Sequence, residues 1–245
     1  MEKTMPDFGE LIAHKGIHND EFPENSLPAF KLAAEKGLAI ELDVQLTKDG
    51  KIVTFHDYNL MRMCGVDAEL SDFTYEQLQA FQLENTPYKI PLLAKVLKEI
   101  NGKVPLLIEL KNKKSCFTLW TLEKRLAILL DKYKGEFAVQ SFDPFSMLWF
   151  RLFRPDIVRG QLISSYKDKK KGADAEYLAR KICCQPFVWK LISKPDFVAA
   201  DLRSISLEQL FASLDSGADF ITWTAKGNEL IETAKQFSKT VIADL

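Results

Sequence analysis

The chain has 245 residues, 27% of them charged, and a formal net charge of −1 at pH 7, so no global charge attracts nucleic acid or an anionic membrane. Its four cysteines, Cys64, Cys116, Cys183 and Cys184, form no CxxC pair and no zinc spacing, which predicts reduced thiols in the cytosol. No signal-peptide core and no run near the ~18 apolar residues of a membrane span occurs. We therefore expect a cytoplasmic protein that is not inserted in a membrane.

Short apolar runs alternate with amphipathic segments along the chain. Strands are predicted at 11–16, 38–47, 52–57, 104–111, 137–142, 156–163, 196–205, 219–224 and 240–245. Helices are predicted at 26–37, 91–102, 117–133, 143–153, 206–217 and 227–237. The tight turn TKDGK makes 52–57 the antiparallel arm of a hairpin. The eight remaining strands alternate with connecting segments that are mostly helical, which predicts an α/β fold, a TIM (β/α)8 barrel.

The whole chain, 1–245, is expected to form a single domain, because no linker divides it. Residues 58–90 contain no long periodic element, only a short helix at 74–81. They are predicted to be a small insertion over the barrel mouth, after the hairpin. Residues 165–194 read as a long connection with a basic start.

Several apolar runs lead directly into ionisable residues. LIA precedes His14, LAI precedes Glu41 and KIVTF precedes His56. A buried strand that ends in this way delivers a polar side chain to its C-terminal edge, which is where α/β barrels carry their chemistry.

Three carboxylates are expected to meet at that edge. Glu41 and Asp43 are two residues apart on one strand, so they share a face, and Glu109 ends the next barrel strand. Clustered buried carboxylates repel each other unless a cation neutralises them, and an all-oxygen set favours Mg²⁺ or Ca²⁺, with Mn²⁺ as a third candidate, over zinc. The alternative is a structural role in ion pairs with basic side chains, namely Lys15, Lys111 or Arg62.

Two of the three histidines, His14 and His56, flank the predicted cluster and suit general acid and base catalysis. The alternative is that each is a hydrogen-bonded structural residue. His18 lies in a polar loop and receives no role. Lys15 and Lys111 would hold a phosphate beside a metal, or act as counter-ions without one. Trp223 either walls the site or packs in the core.

The motifs AHKG, PEN, ELDVQLTKDGK, FHD, LLIELK, VQSFDP, ITWT and VIADL occur in this order. The set resembles the pattern HRG, PENT, E-x-D, T-x-DG, HD, IE-x-K, QSF, W-T-x-N and ITD of the glycerophosphodiester phosphodiesterases, which belong to the phosphatidylinositol-phospholipase-C-like barrels. The resemblance runs from about Ile12 to Leu245, and its most specific block is ELDVQLTKDG with FHD.

The resemblance implies a TIM barrel that hydrolyses glycerophosphodiesters, as small-molecule substrates, to sn-glycerol 3-phosphate and an alcohol with the help of one divalent cation. It matches His14 and His56 to the acid/base pair. It matches Glu41, Asp43 and Glu109 to the metal ligands. It matches Lys111 to the basic residue that contacts the phosphate, and Glu24 to a carboxylate in the shell around the site.

The chain departs from the pattern at three places. Lys15 replaces the arginine of HRG, PENS replaces PENT, and the asparagine of W-T-x-N is absent from WTAKG. A lysine offers a phosphate a point charge where arginine offers a two-pronged contact. Two rivals therefore stay open: a phospholipase D-like or lysophospholipid-acting relative, with weak membrane-surface contact through 166–192, and a non-catalytic barrel that binds a phosphate ligand.

Overall fold

The computed structural model describes residues 3–112, 120–164, 185–206, 211–213, 215 and 217–245. Its strands are β1 (Leu11–Ala13), β2 (Ala39–Leu46), β3 (Ile52–Thr54), β4 (Leu106–Leu110), β5 (Phe137–Ser141), β6 (Arg159–Ile163), β7 (Phe197–Asp201), β8 (Asp219–Lys226) and β9 (Thr240–Asp244). All except β3 pair in parallel, in the order β1-β2-β4-β5-β6-β7-β8-β9. A parallel pairing of β9 with β1 closes the ring, which confirms the predicted TIM barrel.

Helices lie between the barrel strands. They are α1 (Leu27–Glu35), α2 (Met61–Cys64), α3 (Tyr75–Leu78), α4 (Leu93–Ile100), α5 (Thr121–Leu130), α6 (Pro144–Phe153), α7 (Pro186–Ile192) and α8 (Gly227–Lys235). Half of the predicted helix 206–217, including 207–210, and the first part of the connection 165–194 lie outside the described residues.

Helix starts follow the local sequence signals. Ser26 caps α1 by accepting a hydrogen bond from the Ala29 amide, and Asp143 caps α6 by accepting one from Phe145. In both helices a proline stands in the first turn, where its missing N–H costs nothing.

The hairpin is confirmed, because β3 pairs antiparallel with β2, with Val44 opposite Thr54. Glu41 lies inside β2, as the predicted strand 38–47 implies, opposite Leu107 on β4. β2 runs on past its last pairing with β4, at Val44, to reach β3.

Some predicted strand ends were placed too far along the chain. β1 stops at Ala13 and β3 at Thr54, so His14 and His56 lie in the loops that follow.

The end of β8 was placed too early. The strand with Trp223 was predicted at 219–224, but β8 continues to Lys226 and bulges between Thr222 and Ala225 to keep its pairing with β9.

The segment 58–90 has an apolar cluster of its own. α2, a 3-10 turn at Leu70–Asp72 and α3 pack with the hairpin, so that the predicted helix 74–81 is reduced to one turn. The buried members are Val53, Phe55, Leu60, Met63, Leu70, Leu78, Leu83 and Ile90.

The barrel core contains one very close approach between neighbouring strands. Gly160 on β6 lies opposite Phe197 on β7, and Phe197 is fully buried. A Cβ atom at Gly160 would lie 2.0 Å from the Phe197 ring, far inside van der Waals contact. The phenyl ring therefore occupies the space that any larger residue at position 160 would need.

We expect Gly160→Ala to lower the free energy of unfolding by about 1–3 kcal/mol, because the added methyl overpacks the core. Urea denaturation measures this change. Phe197→Leu in the same chain removes the ring and should recover part of the loss. A single variant with an unchanged unfolding midpoint would show that the ring has room to move.

Candidate active site

Three carboxylates meet inside the barrel, as the sequence predicts. Asp43 on β2 is the register partner of Glu109 on β4, and Glu41 lies two residues before Asp43 on the same face. All three side chains are buried, and one ligand oxygen from each lies within 4.8 Å of the others.

The basic groups near this cluster leave it with surplus negative charge. The Lys111 ammonium lies 2.6 Å from Glu109 Oε1 and 3.2 Å from Asp43 Oδ1. The backbone amide of Lys15 donates to Glu41 Oε2 at 3.1 Å, but the Lys15 ammonium turns away to Glu24, also at 3.1 Å. One ammonium thus faces three buried carboxylates.

The pKa shifts of the three carboxylates show that burying them together is electrostatically unfavourable. Burial raises the pKa of Glu41 well above its ordinary value, and the charges of Asp43 and Glu109 raise it further. Burial also raises the pKa of Glu109, although Lys111 opposes it. For Asp43 burial acts in the same direction, but the charges of Lys111, His56 and Lys15 and the hydrogen bond from Asn25 together outweigh it and hold the pKa low.

The donor set fits a hard divalent cation. Three buried carboxylates with one counter-charge supply oxygen ligands and the negative potential that such an ion requires. The structural alternative is observed only in part. Lys111 pairs with Asp43 and Glu109, whereas Arg62 pairs with Glu24 and Asp57 instead.

Asn25 fixes the position of Asp43. Its amide donates to Asp43 Oδ2 at 2.8 Å, and its Oδ1 accepts from the Asp43 backbone amide at 3.0 Å. The Asn25 carbonyl in turn accepts from the Thr54 hydroxyl on β3. From the sequence, Asn25 is indicated only as part of the PEN motif, so its contact with Asp43 is a finding of the structure.

His14 stands at one side of the cluster, in the loop after β1. Its Nδ1 lies 2.6 Å from Asp244 Oδ1 on β9, and Lys226 contacts the other Asp244 oxygen at 2.9 Å. Burial acts to raise the pKa of Asp244, but the interactions with His14, His18 and Lys226 together outweigh it and keep the pKa well below its ordinary value. An ionised carboxylate at Nδ1 leaves Nε2 free to act in the pocket.

His56 has an equivalent partner. Its Nδ1 lies 2.6 Å from Asp57 Oδ1, and Arg62 Nε donates to Asp57 Oδ2 at 2.6 Å. Arg62 also makes a two-pronged contact with Glu24 at 3.0 and 2.6 Å. The chain Glu24–Arg62–Asp57–His56 therefore ties the 58–90 segment to the site.

Gln45 holds the backbone that carries His56. Its side-chain amide nitrogen lies 2.8 to 3.1 Å from the carbonyl oxygens of Phe55, His56 and Asp57. Three carbonyls gathered by one buried amide fix the loop after β3 and hence the imidazole.

These groups surround a pocket of about 210 Å³. The lining residues are His14, Glu41, His56, Glu109, Lys111, Gln140, Phe142, Leu162, Trp223, Thr224 and Ile242. Trp223 forms part of the wall, and its ring packs edge to face against the Phe142 ring, with 5.6 Å between the ring centroids. Asp43, Lys15 and Glu24 lie behind the lining.

Two residues of the site, Asp57 and Asp244, were not identified from the sequence as partners of the histidines. The signals were present, since Asp57 follows His56 in FHD and Asp244 follows the last apolar run. Arg62 was considered only as a counter-ion for the wrong carboxylates.

The fold and the site together define a (β/α)8 barrel with an acidic, histidine-flanked pocket. A family profile described as "Glycerophosphoryl diester phosphodiesterase family" matches residues 14–241. The chain belongs to this family.

A glycerophosphodiester phosphodiesterase of Bacillus altitudinis is 32% identical over 157 residues, which cover 60% of this chain and 64% of the relative. The match thus spans slightly less than two thirds of that relative. Two solved structures are similar along nearly the whole chain. A glycerophosphodiester phosphodiesterase of Thermotoga maritima has a TM-score of 0.69 at 25% identity, covering 96% of this chain and 93% of its own. An Oleispira antarctica phosphodiesterase in complex with the product sn-glycerol-3-phosphate has a TM-score of 0.77 at 22% identity, covering 97% and 93%.

Across the part of the chain that the structure describes, no helix is both long and apolar enough to pass through a membrane.

The Asp57 pair predicts a pH effect on stability. Burial acts to raise the pKa of Asp57, but hydrogen bonds from His56 and Arg62 outweigh it and lower the pKa. The ionised carboxylate therefore stabilises the fold at neutral pH, and this contribution is lost as the pH falls below the ~3.9 of an unfolded Asp towards the lowered folded value.

We expect the free energy of unfolding to fall less between about pH 6 and about pH 3 in Asp57→Asn than in the parent chain. Urea denaturation at a series of pH values measures the fall. Glu35→Gln, an exposed carboxylate on α1, is the control and should behave as the parent chain does. An equal fall in all three proteins would contradict the assignment.

Proposed function

We propose that the protein hydrolyses glycerophosphodiesters to sn-glycerol 3-phosphate and an alcohol. One observation carries the proposal. His14 and His56, each bonded through Nδ1 to a carboxylate, line the same pocket as the three-carboxylate cluster. Family membership supports it, as does the sn-glycerol-3-phosphate bound in the Oleispira structure.

Glu41, Asp43 and Glu109 would hold one divalent cation, Mg²⁺ or Ca²⁺, with Mn²⁺ as the third choice. The cation, when bound, offsets the negative charge that develops on the phosphate. Lys111 then has its ammonium at the pocket for a phosphate oxygen. Lys15 lies behind it, where its ammonium is paired with Glu24.

The two histidines divide the proton transfers. One accepts at Nε2 the proton of the attacking hydroxyl, from water or from the glycerol of the substrate, as its oxygen bonds to phosphorus. The other donates a proton from Nε2 to the alcohol oxygen as the bond from phosphorus to that oxygen breaks. Asp244 and Asp57 orient the rings for these steps.

The remaining pocket wall suits the carbon atoms of the substrate. Phe142, Leu162, Trp223 and Ile242 present apolar surface beside the charged groups and exclude water from the reacting phosphate. We further propose that residues 1–245 act as one domain and that 58–90 is an insertion at the barrel mouth, since Arg62 from this segment contacts Glu24 and Asp57. Cytoplasmic location stays a prediction of the sequence.

The lysophospholipid alternative depends on 166–192, most of which lies outside the described residues, so it stays a prediction. Vesicle binding that disappears in salt would favour that alternative. A turnover assay with glycerophosphocholine and glycerophosphoglycerol tests the proposed function against the non-catalytic barrel. Release of sn-glycerol 3-phosphate supports it, and phosphate-ligand binding without turnover favours the non-catalytic barrel.

His14→Ala and His56→Ala should each lower kcat on the order of 10²–10⁴-fold with the fold intact, because each removes an acid or base. Release of sn-glycerol 3-phosphate in saturating Mg²⁺ measures the rate, and circular dichroism checks the fold. His18→Gln, which changes the third histidine, is the matched control and should keep the parent rate. Near-parent activity in either alanine variant would remove that histidine from the mechanism.

Chelation should abolish turnover, and Mg²⁺ or Ca²⁺ should restore it. Because a cation held by the folded chain alone stabilises it, the free energy of unfolding should rise by ~2.7 kcal/mol at a hundredfold excess over Kd. Asp43→Asn should lose both effects while remaining folded. Full activity after exhaustive chelation, or stabilisation of Asp43→Asn equal to that of the parent, would sink the metal assignment.

A further inference from the structure

His18 has no part in the proposed reaction, yet its position is well defined. Its loop is anchored next to it, since the Ile17 amide donates to the Ala29 carbonyl and Ile17 itself is buried. The His18 Nε2 atom is buried and has no hydrogen-bond partner among the described residues. It lies 3.8 Å from Asp244 Oδ1, which is beyond hydrogen-bond distance.

Three possible metal ligands, two from the loop after β1 and one from β9, meet at this point. His14 Nδ1, His18 Nε2 and a carboxylate oxygen of Asp244 all lie within 4.8 Å of one another. Two imidazoles and one carboxylate are a ligand set that zinc prefers, with a fourth position left for water. The cluster of Glu41, Asp43 and Glu109, made only of oxygens, has the opposite preference.

The spacing of the donors also suits a zinc ion. Ligands at 2.0–2.2 Å from a tetrahedral ion lie about 3.3 Å apart. The observed separations from Asp244 Oδ1, 2.6 Å to His14 Nδ1 and 3.8 Å to His18 Nε2, bracket this value. Shifts of less than about 1 Å would therefore bring the three atoms to coordinating distance.

We propose that His14, His18 and Asp244 form a second metal site, selective for Zn²⁺ over Mg²⁺, and that its occupation blocks His14. A zinc ion on Nδ1 fixes the remaining proton of the ring on Nε2, so that this nitrogen no longer accepts a proton, and it separates the ring from Asp244. The inhibition that follows rests on the proposed function, whereas the site itself does not.

The contact between Lys226 and Asp244 predicts in which direction a substitution should change the zinc affinity. Its ammonium contacts Asp244 Oδ2 at 2.9 Å, but 71% of the Lys226 side chain is exposed. The lysine neutralises Asp244 when no ion is bound, and its charge opposes a cation on the same carboxylate. It stands where the resemblance pattern has asparagine, so Lys226→Asn should strengthen zinc binding and His18→Gln should weaken it.

The binding experiment is calorimetry with Zn²⁺ at saturating Mg²⁺, using the full chain. We expect one zinc ion in the parent chain, an affinity at least ~100-fold lower in His18→Gln and a higher affinity in Lys226→Asn. Asp43→Asn should still bind this ion, which separates the site from the carboxylate cluster. Unchanged zinc affinity in His18→Gln, or loss of the ion in Asp43→Asn, would overturn the site. Circular dichroism confirms that each variant is folded.

The turnover experiment adds Zn²⁺ to enzyme at saturating Mg²⁺. The parent chain should be inhibited over the concentrations at which the ion binds, and His18→Gln should keep its basal rate and resist inhibition. Zinc binding to the parent chain without inhibition would overturn the blocking of His14. A parent chain that turns over no glycerophosphodiester would instead refute the proposed function, and the binding result would still decide the site.

Discussion

The site depends on one electrostatic constraint, which is that three carboxylates are buried together where β2 meets β4. The register that places Asp43 opposite Glu109 makes this unavoidable once Glu41 and Asp43 share a face. Such a group is unfavourable without compensation. The surrounding structure supplies part of it, through the Lys111 ammonium and the amide of Asn25, and the negative charge that remains is the reason why we propose a cation here.

The two histidine–aspartate pairs have similar geometry, but different residues hold the aspartate in each pair. Both have an Nδ1–carboxylate distance of 2.6 Å. Asp57 is held by Arg62, whose planar group also grips Glu24 and whose charge is permanent. Asp244 is held by an exposed lysine and faces a second imidazole, that of His18, at 3.8 Å. The His56 side is therefore the rigid one, and the His14 side is the one on which a substitution or an added ion has the larger effect.

Much of the fold could be predicted because it depends on local patterns. The turn TKDGK forces a hairpin, and alternation along β2 places Glu41 and Asp43 together. Strand ends were less accurate, since an apolar run does not show how far a strand continues to pair: β1 and β3 stop at Ala13 and Thr54, before the histidines they were predicted to contain, and β8 runs on to Lys226. The contacts of Arg62 with Glu24 and of Asp244 with His14 join residues 38 and 230 positions apart, so local patterns could mark these residues but not pair them with their partners. Asp244 is brought beside His14 by closure of the barrel.

That closure has a consequence for which parts of the chain each half of the site depends on. His14 is on the first loop of the barrel, but its amide donates to Ala243 and its ring to Asp244, both on the last strand. The carboxylate cluster is contributed by β2 and β4, which are direct neighbours in the sheet. The His14 imidazole, in contrast, is oriented by β9, which lies between β8 and β1. A change that loosens the pairing of β9 therefore acts on the His14 imidazole directly and on the carboxylate cluster only at a distance.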